Sequence, residues 1–92
     1  MKLLWTPQAR RDRRTIFDYI RPENPMAAAA MDDQFAMAAG QLSRHPYSGR
    51  PGRVSGTREL LAHPSYLMIY DVHEGAVRIL GIIHTARQWP PE

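Results

Sequence analysis

Apolar and polar positions along the 92-residue chain follow a helical period in the first half and strand-like runs in the second. Lys2 to Trp5 is short and apolar and meets Thr6-Pro7, where threonine suits a helix cap and proline the first helical position. A strand followed by a helix is predicted. From Pro7 to about Arg21, Ala9, Ile16, Phe17 and Ile20 recur at helical spacing, while Arg10, Arg11, Arg13 and Arg14 fall mostly on other faces. Arg21-Pro22-Glu23 ends this helix, because proline disfavours helical geometry in the residue before it, and Asn24-Pro25 supplies a second cap and start. The next helix is predicted from Pro25 to roughly Ser43. Ala27 to Ala30 have high helix propensity, and Ala28, Met31, Phe35, Ala38 and Leu42 return every three or four residues. A connection of only a few residues makes the pair an antiparallel hairpin.

The texture then changes. His45 to Arg53 holds two prolines and two glycines, which is loop chemistry. Three strand-like runs follow, about Val54 to His63, Tyr66 to Val72 and Ala76 to His84. Pro64-Ser65 and His73-Glu74-Gly75 separate them as tight turns, which predicts an antiparallel meander. The expected fold is α+β: an N-terminal strand, a helix hairpin and a three-stranded antiparallel meander. The hairpin should cover one face of a four-stranded antiparallel sheet, with the N-terminal strand at or near an edge. Residues 1–92 make one domain, and Thr85 to Glu92, with Trp89 and two prolines, reads as an irregular tail.

Composition narrows the chemistry. An apolar fraction of 43% with 23% charged residues is that of a chain that folds rather than a disordered one. The absence of cysteine excludes a disulfide framework, a thiolate zinc site and a cysteine nucleophile. His45, His63, His73 and His84 have no paired ligand spacing, so neither a metal nor another cofactor is expected. No apolar run approaches the roughly 18 residues of a membrane span, and Met1 to Pro7 has no apolar segment of signal-peptide length. A cytoplasmic protein is expected.

The net charge is +3, and Lys2 is the sole lysine among 12 basic residues. Arginine forks suit phosphate and carboxylate, although a GC-rich genome produces the same bias, so position is the better guide. Arg44, Arg50, Arg53 and Arg58 lie in residues 34–58, where no acidic residue occurs. A basic loop and strand of this kind attracts a phosphate backbone or an acidic polypeptide. Alternation puts Tyr66 and Tyr70 on one strand face, and with Tyr47 and Trp89 they offer aromatic surface for base stacking or for packing.

The order strand, helix, helix, three strands carries a set of short motifs. They are Trp5-Thr6-Pro7-x-Ala9, Ile16-x-x-Tyr19-Ile20, Asn24-Pro25-x-Ala27-Ala28 and Leu42-x-x-x-Pro46-x-x-Gly49-Arg50-Pro51-Gly52-Arg53-Val54. Gly56-Thr57-Arg58-Glu59-Leu60, Tyr66-Leu67-Met68-Ile69-Tyr70 and Ile79-Leu80-Gly81-Ile82-Ile83-His84-x-Ala86-Arg87-x-Trp89-Pro90 complete the set. Over almost the whole chain this resembles the RelE/ParE superfamily of type II toxin–antitoxin toxins. The resemblance implies a bacterial growth inhibitor silenced by a cognate antitoxin, small and acidic in its toxin-binding segment, in a hetero-oligomeric complex. RelE-like members cut messenger RNA on the ribosome, and ParE-like members inhibit DNA gyrase.

Cleavage of RNA by its 2′-hydroxyl needs a base, an acid and cations around the phosphorane. Against the RelE-like pattern, Arg58 takes one basic strand position, but Leu60 and Leu67 stand where further cations are common. His84 is then the best proton handler, beside Arg87, and arginine cannot serve as a base at neutral pH. The Ile-Ile-His-x-x-Arg ending also resembles ParE-like members. Arg58, His84 and Arg87 are the catalytic candidates if the chain is a nuclease. Arg50, Arg53, Arg58, Tyr66, Tyr70, Arg87 and Trp89 are the candidates for target or antitoxin contact. Gyrase inhibition is the favoured mechanism because the missing cations weaken only the enzyme; the alternative is a ribosome-dependent, metal-independent endoribonuclease.

Overall fold

The computed structural model describes residues 1–87. Its elements are β1 (Lys2–Trp5), α1 (Pro7–Ile20), α2 (Pro25–Arg44), β2 (Arg50–Pro51), β3 (Arg58–His63), β4 (Tyr66–His73) and β5 (Ala76–His84). Both helices start as their sequences direct. The Thr6 hydroxyl accepts from the Ala9 N–H and the Asn24 side chain from the Ala27 N–H, each followed by proline in the first turn. The α+β class and the order of the helices and main strands match the expectation.

The sheet differs in two respects. Among the described residues it has five strands in the order β1-β5-β4-β3-β2, and β1 runs parallel to β5 rather than antiparallel. One cause explains both. The Pro- and Gly-rich loop contains β2, which pairs with Arg58 and Glu59 and adds one reversal of direction before the meander. With that extra reversal β5 ends up running the same way as β1, which does lie at an edge. Strand β3 accordingly begins at Arg58 and not at Val54. Thr57 donates through its N–H and its hydroxyl to the Val54 carbonyl, and Gly56 adopts φ +85°, so Val54 to Thr57 is the turn between β2 and β3.

The helices cover one face of the sheet. Phe35, Ala38, Ala39 and Leu42 of α2 and Ala9 of α1 pack on Ala62, Met68, Tyr70, Val77, Ile79 and Ile82, with Trp5, Leu60 and Tyr66 at the margin. Leu80 is the extra residue of a bulge, since Ile69 pairs with Gly81 and Tyr70 with Ile79. The register therefore places Leu61, Leu67, Ile69 and Ile83 on the face away from the helices, together with Glu59, Asp71 and Arg78.

Candidate functional site

The arginines expected to form one basic surface are divided by the pleat of the sheet. Arg50 pairs with Glu59 on the face away from the helices, and its guanidinium sits 3.1 Å from the Glu59 carboxylate. The same carboxylate accepts from the Arg53 N–H at 3.3 Å. The acid-free stretch thus ends one residue short of the carboxylate that offsets it. Arg58 lies opposite Tyr70 on the helix side, donating to the Gly49 carbonyl at 2.7 Å and lying over the Tyr47 ring at 5.0 Å. It clamps the loop between α2 and β2.

Tyr70 is a core residue and not part of a docking surface. It is fully buried, and its hydroxyl donates to the Pro46 carbonyl and accepts from the Gly49 N–H, both at 2.9 Å. Burial pushes its phenol above the ordinary value of 10.0, with the Gly49 hydrogen bond and the nearby Arg58 charge acting the other way. Tyr66 and Tyr70 do share one face, as alternation requires; that face is the one the helices cover.

Tyr66, His84 and Arg87 do come together. They line a groove of about 790 Å³ between α1 and the end of β5, with Asp12, Ile16 and Tyr19 on the helix side. The Tyr66 ring meets His84 edge-on at 5.5 Å and Phe35 at 5.6 Å. The groove exists because β1 stops opposite Ile79 while β5 continues to His84. Asp12 takes the place of a further strand, its carboxylate accepting from the Ile82 N–H at 3.0 Å and from the Gln8 amide at 2.8 Å. Nothing in the local sequence marks Asp12 for this role, because it reads as one more charge on a basic helix.

The chemistry of the groove is constrained. His84 Nδ1 accepts from the Ala86 N–H at 3.1 Å, which in a neutral imidazole leaves the proton on Nε2 and no free basic nitrogen. Arg58 is remote from it. Arg58 is opposite Tyr70 on one side of β4 and His84 opposite Tyr66 on the other, a separation of roughly 16 Å from strand rise and spacing. On the face away from the helices, Arg78 is doubly hydrogen-bonded to Asp71, at 2.8 and 2.6 Å, and its pKa is raised by that bond. Among the described residues no cluster of histidine and acidic side chains is arranged to hold a metal ion. Trp89 lies outside the described residues.

Comparison with known proteins agrees with this architecture. The chain is 39% identical over 90 residues to the protein Y4kP of Sinorhizobium fredii, covering 97% of this chain and 93% of that one. It is 37% identical over 86 residues to toxin RelE2 of Caulobacter vibrioides, covering 94% and 97%. Among solved structures, a chain of the chromosomal ParDE toxin–antitoxin system of P. aeruginosa superimposes with a TM-score of 0.81 at 25% identity, over 91% of this chain and 95% of that one. A YoeB/ParE toxin of Agrobacterium tumefaciens shares the fold, with a TM-score of 0.63 at 16% identity over 91% and 98%. Residues 3–89 match the family of the ParE toxin of the type II toxin–antitoxin system parDE, and the chain belongs to that family.

Proposed function

We propose that this toxin arrests growth in the cytoplasm by binding its target rather than by cutting RNA, and that the target is DNA gyrase. One observation carries the reading: Arg58, the basic strand residue an RNA-cleaving centre would use, lies roughly 16 Å from the groove that holds His84 and Arg87. Arg58 is committed to the Gly49 carbonyl, and His84 has its acceptor nitrogen engaged. Leu60 and Leu67 occupy the positions where ribosome-dependent nucleases carry cations. The charged side chains on the face away from the helices are neutralised as Arg50–Glu59 and Arg78–Asp71. Proton transfer and phosphorane stabilisation need convergent groups, whereas an inhibitor that docks needs only a shaped surface. Membership of a toxin–antitoxin family gives the chain an antitoxin as its partner. Among the described residues no helix is long and apolar enough to cross a membrane.

The ribosome-dependent reading draws on the groove that gathers Tyr66, His84 and Arg87. Controlled induction in bacteria separates the two. Gyrase inhibition gives filamentation, a DNA-damage response and loss of supercoiling activity with purified chain and gyrase, all retained in His84→Ala. Rapid translational arrest with cut transcripts, abolished in His84→Ala while the antitoxin still binds, overturns the docking reading.

A further inference from the structure

Helix α2 turns Ala28, Phe35, Ala38, Ala39 and Leu42 to the core. Its opposite side carries Met26, Ala30, Asp33, Met37, Gly40 and Arg44, at intervals of four, three, four, three and four residues. That alternation is the spacing of a coiled-coil seam, and a solvent face of a helix is ordinarily charged rather than apolar. Met26 and Met37 are 83% and 73% exposed, so the apolar part of the seam has no cover among the described residues.

We propose that the C-terminal half of this seam, from Asp33 to Arg44, packs antiparallel against the same segment of α2 in a second copy of the chain, forming a two-fold homodimer. In a two-fold contact, if one residue meets another, the second meets the first across the axis. Setting Met37 against the second copy's Gly40 therefore also sets Gly40 against its Met37. The same alignment places Asp33 against Arg44 at both ends. The size match depends on one flexible group: a Cβ built on Gly40 would meet only the end of the Arg44 side chain, at 3.6 Å, so the methionine fits once Arg44 turns outward to the second copy's Asp33. The charge match is equally specific, because neither Asp33 nor Arg44 has an ion-pair partner among the described residues. Sliding one helix by a heptad, to put Met26 opposite Arg44, would set Asp33 against Met37 and leave the charges facing apolar side chains. The paired register is the one the sequence supports, and it is independent of the target the toxin strikes.

The experiment is sedimentation of the full chain freed from antitoxin. At about 50 μM the native chain is expected at dimer mass. Asp33→Arg and Arg44→Asp each set like charges together at both ends, and each should weaken the dimer about tenfold or more. An equimolar mixture of the two variants restores both attractive pairs and should recover the dimer. Circular dichroism of each variant controls for folding, and Gly40→Leu, which fills the gap opposite Met37, should separate the copies without unfolding them. A native chain that is monomeric at this concentration overturns the proposal, and is the result expected if the seam serves an antitoxin helix instead. Folded single variants that remain dimeric also overturn it, because the contact then lies elsewhere.

Discussion

The Tyr70 hydroxyl fixes the loop between α2 and β2 through two hydrogen bonds, beside the one that Arg58 donates to the Gly49 carbonyl. Tyr70→Phe leaves the buried Gly49 N–H without its acceptor and should cost about 1–3 kcal/mol at neutral pH. The pH dependence has a definite sign. The folded phenol titrates above the unfolded one, so its contribution is complete below about pH 10 and is lost as pH rises through the folded pKa. Urea unfolding of the native chain and of the Tyr70→Phe variant, compared at pH 7 and above pH 10, should therefore show the gap narrowing on the alkaline side. Gly49→Ala tests the same contact from the other partner. A Cβ there would lie 2.5 Å from the Tyr70 hydroxyl and 2.8 Å from the Glu59 carbonyl, so a loss of roughly 1–3 kcal/mol is expected in the same unfolding measurement. The sequence places Tyr66 and Tyr70 on one strand face and offers them for contact or for packing; the structure buries Tyr70 completely, which leaves it packing alone. Period-two alternation tells which residues share a face, and only the path of the helices tells which face is covered.

At the scale of elements, the helices were the most legible part, because cap, proline and apolar period agree at each start; observed ends at Ile20 and Arg44 lie one residue from the expected ones. The two-residue β2 was hidden, since Arg50-Pro51 sits among turn-forming residues and its strand geometry comes from pairing with β3. Missing β2 also meant missing the parallel β1–β5 pair. The groove beside α1 was illegible for a related reason: it depends on how far β5 outruns β1. Asp12 makes that mismatch tolerable by accepting the Ile82 N–H. Asp12→Ala should leave this donor unpaired, at a cost of about 1–3 kcal/mol, while Asp12→Asn keeps an acceptor and loses much less. Hydrogen exchange at Ile82 is the direct measurement: protection should fall in the alanine variant and persist in the asparagine one, and equal protection in both would remove Asp12 from this role.

At the scale of the molecule, the basic side chains among the described residues do not form a single cleft. Arg13, Arg14, Arg50 and Arg78 are spent on Asp32, Asp18, Glu59 and Asp71, whereas Arg10, Arg21, Arg44 and Arg53 have no ion-pair partner among the described residues and occur on α1, after it, at the end of α2 and in the loop. Charges distributed in this way act through the long-range field rather than through one desolvated contact, and such a field governs the rate of encounter more than the lifetime of a complex. An acidic antitoxin segment should accordingly associate faster at low salt. Raising ionic strength from about 0.05 to 0.5 M shortens the screening distance several-fold and should slow association about tenfold, with dissociation little changed, because release is set by apolar contacts that salt does not screen. Stopped-flow mixing of toxin with antitoxin across that range measures both rates. A dissociation rate that climbs with salt while association stays constant would locate the binding energy in close ion pairs and contradict a field spread over the surface.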